Sequence, residues 1–208
     1  MRAVRAFKEA DVILCEDTRV TKRLLDRYEI KTPTLSYHAR SKLSKTEKII
    51  ELLMEGKNLA LVSDAGTPGI SDPGSVLVSK IREQVPETAI VTIPGASALT
   101  AALSIAGVPT HEFTFLGFMP HKKGRETLFK EIGQSERTTV FYESPHRIMK
   151  TLESLALHAP DKKVVIAREL TKIYEQVIAG TSAEVLEYFT KNNDKVRGEF
   201  VVIVAEKL

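Results

Sequence analysis

Short apolar runs alternate along the chain with stretches whose apolar residues recur at helical spacing. In the first half "DVILC" (11–15), "TLSY" (34–37), "NLALVS" (58–63) and "AIVTI" (89–93) read as strands. They show little polar alternation, as strands covered on both faces do. Helical patterns stand between them. One starts at residue 2, and another over 19–28 points Leu24, Leu25 and Tyr28 inward. Ser44 with Glu47 forms a capping box for a helix that buries Ile49, Leu52 and Leu53. Asp72-Pro73 opens the next, with an N-cap carboxylate and then a proline at the first helical position. Ser97 caps a helix with Leu99, Ala102, Leu103 and Ala106 on one face. Strand–helix alternation of this kind predicts a parallel, helix-covered sheet.

The alternation stops near Gly107-Val108-Pro109, so an N-terminal α/β domain is expected over 1–108 and a C-terminal α/β domain over 112–208. The second half reads as strand 113–118, helix 124–134, strand 138–142, a helix opened by Ser144-Pro145, strands 163–167 and 174–180, a helix capped by Thr181 with Glu184, and strand 199–204. Too few residues separate 163–167 from 174–180 for a crossover helix, so they should pair antiparallel within a mixed sheet. The fold class expected is α/β, with a parallel N-terminal and a mixed C-terminal sheet.

Composition narrows the function classes. With 43% hydrophobic and 27% charged residues the chain has the make-up of a soluble globular protein. No apolar run approaches the roughly 18–20 residues of a membrane span. The start, MRAVRAFKEAD, is too charged for a secretory signal. Cys15 is the sole cysteine, which excludes an internal disulfide and fits a cytoplasmic location. A net charge of +3 permits an RNA partner without requiring one.

In a parallel sheet, ligands bind outside the carboxyl ends of the strands. Glu16-Asp17-Thr18-Arg19, His38-Ala39-Arg40, the loop "LVSDAGTPGISDPG" (61–74) and Pro94-Gly95-Ala96-Ser97 follow four expected strands. Asp17 and Arg19 could simply cap the helix behind them, Asp72 reads first as a structural N-cap, and His38 alone reads first as an ordinary loop histidine. The loop is harder to explain as scaffold. Its glycines allow close backbone approach while Pro68 and Pro73 stiffen it, which suits recognition of a small polar molecule through main-chain groups. It lacks the Gly-Lys-Ser/Thr of a phosphate loop, and no GxGxxG or GxSxG stands elsewhere. No histidine pair has metal-ligand spacing, so no metal is expected. "FYESPHR" (141–147) places Glu143, His146 and Arg147 after a strand, where they suit either chemistry or a Ser-Pro helix start.

Taken in order, "CEDTR" (15–19), "SYHAR" (36–40), the 61–74 loop, "PGASALTAAL" (94–103), "FLGF" (115–118), "FYESPHR", "ARELTK" (167–172) and "GEFVVIV" (198–204) resemble the tetrapyrrole methylase superfamily. Within it they resemble the ribosomal RNA small subunit methyltransferase I family. The resemblance spans nearly the whole chain. It implies S-adenosylmethionine held between two α/β domains, usually in a homodimer. It also implies methyl transfer to the 2′-oxygen of a cytidine ribose in 16S rRNA of the small ribosomal subunit. Asp64, Ala65, Gly66 and Thr67 would then contact the cofactor, with Ser97 and Ala98, and with Tyr142, Leu170 and Gly198 from the second half. A ribose hydroxyl is a weak nucleophile that needs a proton acceptor. Asp17 and Glu16 are the foremost candidates, followed by Glu143 and His38. Arg19, Arg40, Lys122, Lys123 and Arg125 are candidates for RNA phosphate.

Members of that family usually begin with a strand and a "TPIGNL"-like turn ahead of the helix that here starts at residue 2, and many carry a C-terminal extension. The expected consequence is an exposed apolar sheet edge and a more open site. Two other functions fit parts of the pattern: a methyltransferase acting on a tetrapyrrole, and an RNA-binding module without catalysis.

Overall fold

A computed structural model describes residues 1–38 and 43–206. The chain divides into two compact units, Met1–Ala96 and Ser97–Leu208. In the first, the order is α1 (Arg2–Glu9), β1 (Val12–Cys15), α2 (Thr18–Arg27), β2 (Thr34–Ser36), α3 (Leu43–Met54), β3 (Leu59–Val62) and α4 (Gly74–Gln84). The three strands form a parallel sheet, β2-β1-β3, with Ile13 opposite Thr34 on one side and Ala60 on the other.

Successive residues of the central strand serve opposite faces, as the pleat requires. Leu14 packs with Tyr37, Ile49, Ile50, Leu77 and Ile81, a core drawn from α3 and α4. Ile13 packs with Leu25 and Ile30, and Val4 and Phe7 of α1 lie against them. Both faces are thus covered, as the apolar runs predict.

Two expectations change here. Leu24 and Tyr28 stay 38% and 45% exposed. The inward stripe of α2 is Thr21 and Leu25, one turn apart. The run 89–93 forms no strand, and Ile90 and Val91 are exposed. A strand exists only through its ladder, and among the described residues the sheet ends at β3 without pairing to this segment.

The second unit runs α5 (Ala98–Ile105), β4 (Phe113–Phe118), α6 (Arg125–Gln134), β5 (Thr138–Glu143), α7 (Ile148–His158), β6 (Lys163–Arg168), β7 (Gln176–Thr181), α8 (Ser182–Lys191) and β8 (Phe200–Ala205), with a short 3-10 turn before the last strand. Its sheet has the order β4-β5-β8-β6-β7. The first pair is parallel and the others antiparallel, including the expected β6–β7 hairpin. Phe129, Phe141, Leu152, Phe189 and Val202 centre one core. Val140, Val165 and Ile203 face the other way, onto Ala102, Leu103 and Ala106 of α5.

That second packing moves the boundary. The units divide between Ala96 and Ser97, ahead of the expected 108–112, because the small-residue face of α5 is buried on β8. Alternation of elements cannot reveal which sheet a helix will cover. The Thr181–Glu184 capping box forms as read. The α7 helix starts at Ile148, after a turn in which Ser144 accepts from the amides of Arg147 and Ile148.

Candidate functional site

In the first unit, Glu16, Tyr37, His38 and Asp72 line an open groove of about 720 Å³. Glu16 follows β1 directly and His38 stands two residues beyond β2, so the parallel topology alone puts them at one sheet edge. The Asp17 amide donates to Asp64 Oδ1 at 3.3 Å, tying the end of β1 to the loop after β3.

That loop is held by its own polar groups. Asp72 accepts from the Gly69 amide at 2.8 Å and from the Gly74 amide at 2.6 Å. It is therefore an internal brace, and α4 begins one residue later than expected, after Pro73. Gly74 has no room for a side chain: a Cβ there would lie 2.8 Å from Asp72 Oδ1 and 3.0 Å from both the Gly69 nitrogen and Leu61. Gly69 takes φ of +86°, which glycine adopts without strain. Thr67 donates to the Ala96 carbonyl at 3.2 Å. Asp64, Ala65 and Gly66 remain exposed at the tip.

The two adjacent carboxylates after β1 have opposite environments. Asp17 accepts from the Arg19 amide at 2.8 Å and from its guanidinium at 3.1 and 2.7 Å. Those bonds hold its carboxyl down at about 2. Asp17 is the N-cap of α2 and a weak base. Burial pushes the Glu16 carboxyl up, and the negative charges of Asp64 and Asp72 add to this, opposed by His38. Glu16 is thus the better proton acceptor of the pair.

In the second unit, the other candidates meet at one end of the sheet. Tyr142 is half-buried, with its ring edge-on to Phe115 at 5.1 Å and Phe118 at 5.4 Å. Burial raises its phenol, opposed by a hydrogen bond from the Leu99 backbone. Leu99, Phe115, Tyr142 and Leu170 pack against one core. Ser97 sits at the N-cap of α5 without spending its hydroxyl on a cap bond, and Ala98 is exposed beside it. Gly198, at φ of +85°, lies so close to Glu169 that a Cβ would stand 2.4 Å from its side chain. Glu169 in turn accepts from the Glu199 amide at 2.9 Å, which fixes the strand entry next to Leu170.

Glu143 stands at the same end, but buried. Its carboxylate accepts from the Ser144 amide at 2.8 Å and the Thr151 hydroxyl at 2.7 Å. Arg147 pairs with it at 2.8 Å and Arg125 at 3.4 Å. Every lone pair within reach is taken, so the expectation of Glu143 as a proton acceptor gives way to a structural anchor. Arg125 is corrected with it. Its guanidinium is turned inward onto Thr151, Pro120 and Glu143 and over the Phe129 ring, away from any phosphate in solvent. Thr151 went unread in the sequence. The signal was there: a hydroxyl between Ile148, Leu152 and Leu155 on the buried face of α7 needs a polar partner.

Of the remaining phosphate candidates, Arg19 is exposed with its charge shared by Asp17. Lys122 and Lys123 are exposed, and Arg40 lies outside the described residues. Tyr37 and Lys80 border the groove and were not singled out from the sequence. Among the described residues, no group of three or more His, Cys, Asp or Glu side chains is placed to hold a metal ion.

The model of the Tetrapyrrole (Corrin/Porphyrin) Methylases matches residues 1–186. The chain belongs to this family. Relatives called "Ribosomal RNA small subunit methyltransferase I" lie close to it. That of Halalkalibacterium halodurans is 44% identical over 98% of this chain and 69% of its own length. That of Thermotoga maritima is 42% identical over 100% and 91%. This tetrapyrrole methylase therefore groups with the small-subunit rRNA methyltransferase I branch, as its motifs imply. Among solved structures, the methyltransferase CobJ superposes with a TM-score of 0.68 at 21% identity, covering 99% of this chain and 87% of that one. A uroporphyrin-III C-methyltransferase from Thermus thermophilus, complexed with S-adenyl homocysteine, gives 0.61 at 16% identity, covering 99% and 90%. These two likenesses establish the shared fold.

Proposed function

We propose that this protein methylates small-subunit ribosomal RNA, using S-adenosylmethionine, at the 2′-oxygen of a cytidine ribose in 16S rRNA. The observation that carries the reading is identity of 42–44% with small-subunit rRNA methyltransferases over nearly the whole chain. The chemistry of the candidate residues supports that cofactor. The tip residues Asp64, Ala65, Gly66 and Thr67 offer backbone groups and a carboxylate suited to a cationic ligand. Ser97, Ala98, Tyr142, Leu170 and Gly198 offer a free hydroxyl, small residues and a partly apolar wall suited to an adenosyl group. Bound S-adenosylmethionine would supply an electrophilic methyl group.

The protein's own part is positioning and proton transfer. The ribose hydroxyl gives up its proton as the new oxygen–carbon bond forms. Glu16 accepts it, with His38 beside it in the groove, while Asp17 braces the strand end. Lys122 and Lys123 meet RNA phosphate. The reading includes a homodimer at work in the cytoplasm, where ribosomes assemble. No helix among the described residues is long and apolar enough to cross a membrane.

The test is transfer of labelled methyl from S-adenosylmethionine, offering small ribosomal subunits and a porphyrinogen in separate reactions. Label in RNA that survives alkaline hydrolysis and is released as 2′-O-methylcytidine supports the reading. Label in the porphyrinogen alone would replace it with a tetrapyrrole methyltransferase. RNA binding without transfer to either would leave a binding module.

A further inference from the structure

The basic loop between β4 and α6 is held by an unusual arrangement. Met119 is buried at its start, whereas His121, Lys122, Lys123 and Gly124 are exposed. No apolar side chain between Pro120 and Arg125 anchors it. Two backbone carbonyls anchor it instead. Arg147 donates to the Met119 carbonyl at 2.8 Å and Arg125 to the Pro120 carbonyl at 3.2 Å. Both guanidiniums converge on one carboxylate, Glu143, whose side chain is fully buried. Thr151 joins them, accepting from Arg125 at 2.6 Å and donating to Glu143 at 2.7 Å. Gly124, left-handed at φ of +81°, then turns the chain into α6.

A buried carboxylate with two arginines adds little net stability, because desolvation offsets most of the attraction. What this one does geometrically is fix the backbone from which two lysines project. Lysine contributes to RNA binding as a point charge whose effect depends on where it is held.

We infer that Glu143, through Arg125 and Arg147, is a positioning residue that presents Lys122 and Lys123 to the phosphodiester backbone of substrate RNA. The inference rests on the RNA methyltransferase reading above. It assigns no proton transfer to Glu143. The Arg147 link can be cut while Glu143 keeps Arg125, Thr151 and the Ser144 amide, so Arg147→Met leaves no buried charge unpaired.

The experiment is a double-mutant cycle in the full chain, read as affinity for small-subunit rRNA at several salt concentrations. K122A/K123A should weaken binding by about 10-fold and reduce the salt slope by about 1–2. In the R147M background the same pair should cost less, about 2- to 4-fold, because one of the two anchors that hold the lysines is gone. E143Q should behave like R147M wherever it folds, and S-adenosylmethionine affinity should stay unchanged in R147M. An equal cost of K122A/K123A in both backgrounds would overturn the inference and leave the cluster a packing device. No cost in the wild-type background would overturn it as well. Failure of the unsubstituted chain to bind RNA would instead bring down the underlying reading, and the inference with it.

Discussion

The two units handle their sheets differently. Every residue of β8 is buried, and β5 and β6 are nearly so. In the first unit all of β3 is only half-buried, and β2 runs from exposed to half-buried. The polar groups differ in the same sense. Around the buried Glu143 the second unit gathers opposite charges in a cluster that is complete in itself. At the ends of β1 and β3 the first unit gathers like charges, and they add to the burial that raises the Glu16 carboxyl. The Glu143 charges are paired within the scaffold, whereas the raised Glu16 carboxyl beside an open groove is the candidate for chemistry. Distance from a motif's most reactive-looking residue teaches less than whether its lone pairs are already used.

The strongest test of that contrast is between neighbours. Glu16→Gln should lower the methyl-transfer rate by about 10²–10⁴-fold, while Asp17→Asn, removing a carboxylate already committed to Arg19, should cost less than about 10-fold. Single-turnover transfer at saturating cofactor reads both, and the reverse order would return the role to Asp17. The rate should also fall as pH drops through the raised Glu16 value, above the ordinary 4.5, and that limb should vanish in the glutamine variant.

Next in size is packing. Leu152→Ala, in the second unit's core, should destabilise by about 2–5 kcal/mol. Leu61→Ala, in half-buried β3, should cost about 1–2 kcal/mol. Denaturant midpoints at constant m-value decide this, and equal costs would dissolve the contrast between the sheets. Gly198→Ala should cost about 1–3 kcal/mol, since it meets both a left-handed φ and the Glu169 side chain. Gly66→Ala, left-handed with open space around it, should cost about 1 kcal/mol, the backbone term alone. The smallest effect is in acid. The lowered Asp17 carboxyl contributes stability that is full above 3.8 and is lost as pH falls toward about 2. Asp17→Asn should flatten the acid unfolding curve in that window and nowhere else.

Much of this was legible along the chain because it depends on near neighbours. Apolar runs, the Thr181–Glu184 capping box and the short β6–β7 connection are local patterns, and local hydrogen bonding and chain reach enforce them. The motifs from "CEDTR" to "GEFVVIV" sufficed for the family, and parallel topology placed Glu16, His38 and Asp64 at one sheet edge. Tertiary structure decided what depends on partners distant in sequence. The run 89–93 has strand composition but no ladder, and α5 joined the sheet that its small residues fit. The motif presents Glu143 as reactive, but Arg125, 18 residues before it, and Thr151, 8 residues after it, occupy its oxygens. Glu16 was separated from Asp17 in the same way, by which of two adjacent carboxylates found an arginine. A residue type states which bonds a side chain can make; only the packed chain determines which of them are already made.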